Sequence, residues 1–298
     1  NNVGTAQLAA QDGQGRVNLE RSLRLALERG WEDHAGRAYA NLAALAVDAR
    51  DYSRAAHYLQ EGIAYCTEHD LDTMGTYMRA YQAQARFEQG AWDDAAEEAT
   101  RVLERYRLPF VVKIPALVVL GWVRVRRGDP GSAAVLDEAR DLALATGELQ
   151  RIAPVAAARA EAAWLYGNKE QCLAEVRVGF DLALAHDASP WTLGELSVWM
   201  WRAGELTSAP GPIAEPFARQ IAGDWRGAAA LWAQIGCPFE QALALADGDA
   251  SAQRSALALF ERLGAQPAMA LVRKRLRQQG MQGIPASEEQ ENQNHSKL

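Results

Sequence analysis

The sequence predicts an all-α chain built as a superhelical stack of helical hairpins, on three observations. A short turn with a helix breaker or cap former recurs: DGQG at 12–15, ARDYSRA at 49–55, QGAWDDA at 89–95, RGDPGSA at 127–133, YGNKEQC at 166–172 and AGDWRGA at 222–228. Aligning Gln14, Asp51, Ala91, Asp129, Asn168 and Asp224 gives steps of 37, 40, 38, 39 and 56 residues, so the first four steps are one unit. Four residues after the aligned position stands Ala55, Ala95, Ala133, Cys172 or Ala228, with only Asn18 departing. A small side chain there lets two helices approach closely, and Cys172 reads as a packing residue rather than a nucleophile.

Each unit reads as helix A before the turn and helix B after it: 34–47 with 53–68, 73–89 with 93–106, 112–127 with 132–145, and 150–166 with 170–186. A period of about 39 exceeds the ~34 of an ordinary tetratricopeptide repeat, so the helices are longer while the stacking logic is the same. Residues 1–188 are thus expected to form a regular array, a right-handed tetratricopeptide-like superhelix or α-solenoid. Pro115 and Pro154 each stand thirteen residues before a turn glycine, Gly128 and Gly167, and are expected to mark helix starts.

The array breaks step at 189–204, SPWTLGELSVWMWRAG, which carries three of the nine tryptophans. Ser189 suits an N-cap and Pro190 a first helical position. Trp191, Glu195, Val198, Trp199 and Arg202 fall on one helical face, and Leu193, Leu196, Met200 and Ala203 on another, so both faces ask for burial. Arg202 is spaced for a cation–π pair with Trp199, with Glu195 one turn away, which would make the face a self-satisfied packing surface. The Pro- and Gly-rich SAPGPIAEP follows, then helices at 217–222, 226–235, 239–246, 251–263 and 267–279. Residues 189–285 read as an irregular continuation of the solenoid, and 286–298 as a flexible polar tail.

Composition narrows the function classes. The chain has 31 basic and 38 acidic residues, a net charge of −7, which argues against a general nucleic-acid surface. The densest basic run, Arg273, Lys274, Arg275 and Arg277, is expected to complement the end of a helix. Three scattered cysteines suggest neither a disulfide framework nor a zinc site, and a reducing cytoplasm fits them. The longest apolar run, 114–123, is far short of the ~20 residues of a membrane span. The chain begins NNVGTAQLAA, without Met and already in helical pattern, as a piece of something larger would.

No catalytic signature is present: no GxxxxGK[ST], no GxSxG, no HExxH, and five histidines without metal spacing. Cys66 and His69, one helical turn apart, read as helix surface. Neither a cofactor nor a metal is expected. A helices usually line the concave wall of such arrays, and there Arg151, Val155, Arg159, Ala162 and Tyr166 read as one face opposite Leu149, Ile152, Ala156, Ala160 and Ala163. Arg151 and Arg159 would suit a ligand carboxylate or phosphate, unless they pair with Glu161, Glu148 or Glu195 inside the array. Tyr77, Tyr81, Lys113 and Trp122 on preceding A helices would extend the wall, and Trp191, Glu195, Trp199 and Arg202 would close it.

Several stretches resemble a known family in the right order. They are NLAALAVDARDYSRAAHYLQEGIAYC, IPALVVLGWVRVRRGDPG, TGELQRIAPVAAARAEAAWLYGN, GELSVWMWRAG, and LWAQIGCPFEQALALADGD followed by ALALFERLGAQPAMALVRKRLRQQGMQGIP. From Asn1 to about Pro285 the chain resembles the helical-repeat region of large actinobacterial-type LuxR-family regulators of the signal-transduction ATPase type. In that family a P-loop ATPase precedes the repeats and a LuxR-type helix-turn-helix follows them. The resemblance implies a non-catalytic sensor and interaction scaffold whose superhelix binds a small-molecule inducer or a regulatory protein, with ATP and DNA handled by flanking domains that this sequence lacks. A free-standing adaptor for a protein segment is the alternative, and an enzyme with an aromatic groove comes last for want of a spaced nucleophile, base or metal set.

Overall fold

The computed structural model describes residues 14–282, with side chains to 278; the tail expected to be flexible, 286–298, lies outside the described residues. Among the described residues the chain is all-helical. The first B helix is α1 (Gln14–Arg29). Four full hairpins follow: α2 (Glu32–Asp48) with α3 (Tyr52–Glu68), α4 (Asp72–Glu88) with α5 (Trp92–Leu103), α6 (Phe110–Arg127) with α7 (Ser132–Thr146), and α8 (Leu149–Leu165) with α9 (Lys169–Ala185). Next comes α10 (Pro190–Ala203), then a C-terminal block of α11 (Glu215–Ile221), α12 (Trp225–Ile235), α13 (Pro238–Ala246), α14 (Ala250–Leu263) and α15 (Gln266–Gln282). No helix among the described residues is long and apolar enough to cross a membrane.

The A helices α2, α4, α6, α8 and α10 pack in series, each on the next, while each B helix sits between its own A helix and the following one. This arrangement is consistent with an α-solenoid. The turns produce it locally. Asp51, Asn168 and Asp224 cap α3, α9 and α12, each side chain accepting a backbone N–H three residues on. Just before each stands a left-handed residue, Arg50, Gly167 or Gly223, and Gly90 and Gly128 serve the other two turns. Ala55, Ala95, Cys172 and Ala228 are wholly buried where the helices meet, as the repeat requires.

The structure departs from the sequence reading at three places. In RGDPGSA the B helix starts only after Gly131, so Ala133 is exposed and the close approach passes to Gly121, where a Cβ would collide with Leu136. Pro115 and Pro154 lie inside α6 and α8, five residues past their first residues, Phe110 and Leu149. They are therefore not helix starts; each lacks the N–H that would close on the carbonyl four residues back. The basic run does not end its helix, because α15 continues to Gln282, and Arg275 is tucked 5.5 Å above the Trp164 ring.

The C-terminal block folds back against the turns of the early hairpins. The Tyr52 hydroxyl lies 3.1 Å from Cys237 Sγ, Trp92 packs on Phe239 at 5.8 Å, and Glu240 reaches Arg126 at 2.9 Å. Pro238 and Leu263 close over Gly90. Arg126 is held between the Phe87 and Phe239 rings and makes a two-bond fork with Glu161, at 2.7 and 3.0 Å. This ion cluster ties the second, third and fourth hairpins to α13.

Candidate functional site

The serial packing of A helices brings residues from all five of them to one cleft. Its walls are Asp48 at the end of α2, Arg50 in the following turn, Tyr81 and Gln84 of α4, Ile114, Pro115, Val118 and Trp122 of α6, Gln150, Arg151 and Pro154 of α8, and Thr192, Glu195 and Leu196 of α10. The cleft is partly open to solvent. Asp48, Gln150 and Thr192 also line a wider, shallower hollow that runs on past 147–149 and 186–191, so the two are continuous. The floor is apolar and the rim is charged.

Arg50 is the odd member of its turn series. Its φ of 58° places a β-carbon-bearing residue where the other turns carry glycine, a conformation that costs about 1–2 kcal/mol for an L-residue. Its guanidinium lies 3.6 Å from both Glu88 and Glu195 and 5.5 Å from the centre of the Trp191 ring. Glu88 is buried and further held by the Tyr52 hydroxyl at 2.7 Å and the Gln84 amide at 3.0 Å. Arg50 thus crosses the end of the cleft as a strut between α4 and α10.

Arg151 is held differently. It is 7% exposed, yet its nearest acceptors are the Tyr77 hydroxyl at 3.5 Å and Glu148, itself half in solvent, at 3.7 Å. Its Nε makes no hydrogen bond. The Tyr77 ring lies 5.5 Å beneath the guanidinium, and Tyr77 meets Tyr81 hydroxyl to hydroxyl at 3.2 Å. Burial, with Tyr77 beside it, pushes the Tyr81 hydroxyl far up, so it stays neutral.

Two carboxyl groups face the cleft with raised affinity for protons. Burial pushes Glu195 up to about 7, with Glu88, Glu240 and Glu161 adding and Arg50 opposing. Asp48 has surface open to the cleft but is ringed by protein at longer range. That burial pushes it up to about 7 as well, helped by Glu88 and opposed by Arg50, Arg151 and a hydrogen bond from Gln84. Asp48 forms no ion pair within 4.0 Å among the described residues.

Of the residues expected to line a groove, Arg151, Tyr81, Trp122 and Glu195 meet in this cleft, Tyr77 supports Arg151 from behind, and Trp191 lines the adjoining hollow. Trp122 is stacked on Phe87 at 5.3 Å. Trp191 is also packed on Phe217 and Trp232, so its ring is shared between hollow and core. Five residues lie elsewhere. Arg159 turns the other way, to Glu175 at 2.6 and 2.8 Å and Asp137 at 2.6 Å, none of them a partner considered from sequence. Lys113 pairs with Glu138 on α7, and Tyr166 is 64% exposed at the end of α8. Trp199 is buried against Trp164 at 5.8 Å, and Arg202 makes a fork to Asp247 at 3.1 and 2.9 Å while lying 4.5 Å over Trp164. The Arg202–Trp199 pair exists, at 5.9 Å, but it is the weaker of these contacts.

Sequence reasoning missed Asp48, Arg50, Gln84 and Glu88. One signal was present: in the aligned turns the position before the cap reads Gly13, Arg50, Gly90, Gly128, Gly167, Gly223, and only Arg50 breaks the glycine column. The cysteines are free and buried, and burial lifts Cys66 to about 11 and Cys172 to about 12, so neither thiol is activated. His69 pairs with Glu32 at 3.1 Å and stacks on Tyr65, away from Cys66 chemistry. No protein-family model matches the chain, and no curated protein matches it.

Proposed function

We propose that this chain is the sensing and interaction scaffold of a LuxR-type transcriptional regulator, a right-handed superhelix of tetratricopeptide-like hairpins recurring about every 39 residues. Its cleft takes a small-molecule inducer. The observation that supports ligand binding is Arg151, a buried guanidinium beside an open cleft with only long contacts to a hydroxyl and a solvent-exposed carboxylate. A charge withdrawn from water is retained at a stability cost unless something pairs with it, and a ligand anion would do so. The regulator context rests on the run of sequence stretches that resembles that family. The scaffold has no chemistry of its own in this reading; ATP and DNA belong to flanking domains.

Binding that favours one state of the array is enough for control, because a ligand shifts an equilibrium by its difference in affinity for the two states. A thermal-shift screen of metabolites against the chain tests the ligand reading, and a hit is expected to raise the melting temperature in a concentration-dependent way. The gene tests the context: an open reading frame running into a P-loop ATPase upstream and a helix-turn-helix downstream is expected, and a frame encoding neither contradicts it. Response to a protein segment alone, with no metabolite hit, would favour the adaptor reading instead.

A further inference from the structure

The cleft carries groups of both signs on its walls. Arg151 has a single carboxylate, Glu148, half in solvent at 3.7 Å, while Arg50 is shared by two better-buried ones, Glu88 and Glu195, at 3.6 Å. An incoming anion therefore meets least competition at Arg151, whose planar fork suits a carboxylate. Arg126 and Arg202 also leave one nitrogen each unmet, so an idle N–H alone does not single Arg151 out. What does is that both of those guanidiniums are forked onto carboxylates, whereas Arg151 is not and lies on an open wall.

Around Arg50 the acceptors outnumber the donors. Asp48, Glu88 and Glu195 gather around one guanidinium, Arg50, and Asp48 is the member with no ion pair. Glu88 is already occupied by Tyr52 and Gln84. The apolar part of the lining is Ile114, Val118 and Leu196.

We propose that the cleft binds a small amino-carboxylate zwitterion, its carboxylate on Arg151, its carbon body over the Ile114, Val118 and Leu196 floor, and its ammonium beside Asp48 and Glu195. This rests on the cleft being a small-molecule site. The raised proton affinity of Glu195 fits: an ammonium set against it returns it to the ionised form, and a proton leaves on binding near neutral pH. The charged and titratable groups facing Asp48 and Glu195 are Arg50, Arg151, Tyr81, Glu88, Glu161 and Glu240.

Calorimetric titration of the whole chain with leucine, 4-aminobutyrate and 6-aminohexanoate, beside butylamine and butyrate, tests the proposal. At least one zwitterion is expected to bind saturably, and butylamine and butyrate at least tenfold more weakly. Arg151→Gln and Asp48→Asn should each weaken binding at least tenfold. Titration in two buffers of different ionisation enthalpy at pH 7 should show proton release. Asp48 is solvent-open, so its variant keeps the test decisive even where Arg151→Gln melts early. Equal binding of butyrate and the zwitterions, unchanged affinity in Asp48→Asn, or no binding by any of these probes overturns the inference. In that event the cleft reading survives where another metabolite class raises the melting temperature of the chain but not of Arg151→Gln, and falls with the inference where none does.

Discussion

Two guanidiniums on neighbouring A helices, Arg151 on α8 and Arg202 on α10, are almost equally hidden, at 7% and 8% exposure. Arg202 is clamped by both oxygens of Asp247, which also accepts from the Gln220 amide at 2.8 Å, and it is roofed by Trp164, Trp199 and Trp201. That cluster is the seam between the hairpin array and the C-terminal block. Arg151 has a tyrosine ring, a distant hydroxyl and a carboxylate half in solvent. Burial does not distinguish the two. Pairing does, and it separates a charge that holds the fold together from one available to a ligand.

The largest effect should come from breaking the seam. Asp247→Ala leaves the Arg202 guanidinium buried without its carboxylate and also strips Arg275, 3.8 Å away, and Gln220 of a partner. It is expected to cost about 3–5 kcal/mol in chemical denaturation. A loss below about 1 kcal/mol would mean the fork contributes nothing net.

Arg50→Gly sharpens the contrast next. Glycine would relieve the left-handed strain, so a position serving only the turn should gain about 1 kcal/mol. Because Glu88 and Glu195 would lose their shared cation, a net loss of about 2 kcal/mol is expected instead, softened by Tyr52 and Gln84 on Glu88. Denaturant melts of the variant decide the sign.

A smaller effect is pH dependence at the cleft. Glu195 binds its proton more tightly folded than unfolded, with the folded value raised from 4.5 to about 7. The native state therefore holds the extra proton in that window, and the contribution of Glu195 to stability falls as pH rises from about 4.5 to about 7, then levels. Glu195→Gln should flatten that part of the melting-temperature profile. An unchanged slope would assign the dependence to other groups.

How much of this was legible in the sequence follows from how local each cause is. Helix ends were legible because caps such as Asp51, Asn168 and Ser189 and the left-handed glycines act within a few residues. The cleft was half legible. Arg151 and Arg159 are eight residues apart, as are Trp191 and Trp199, and eight steps on a helix drift about 80°. In each pair the first residue faces the cleft or its hollow and the second turns to a neighbouring helix: Arg159 to Glu175 and Asp137, and Trp199 to Trp164. Which partners wait there depends on chain segments far away in sequence, as with Asp247, forty-five residues from Arg202. Pro115 and Pro154 were misplaced because a proline five residues into a helix and one at its start leave the same local signature, and only the packing of α6 and α8 extends those helices upstream.

The distinction between a forked and a half-paired guanidinium is tested most directly by Arg151→Gln and Asp247→Asn side by side, each measured for unfolding free energy and for zwitterion binding by titration calorimetry. Arg151→Gln is expected to stay within about 1 kcal/mol of the parent while losing binding, and Asp247→Asn to lose at least about 2 kcal/mol while the folded fraction still binds. An Arg151→Gln protein as destabilised as Asp247→Asn, with binding untouched, would contradict the account.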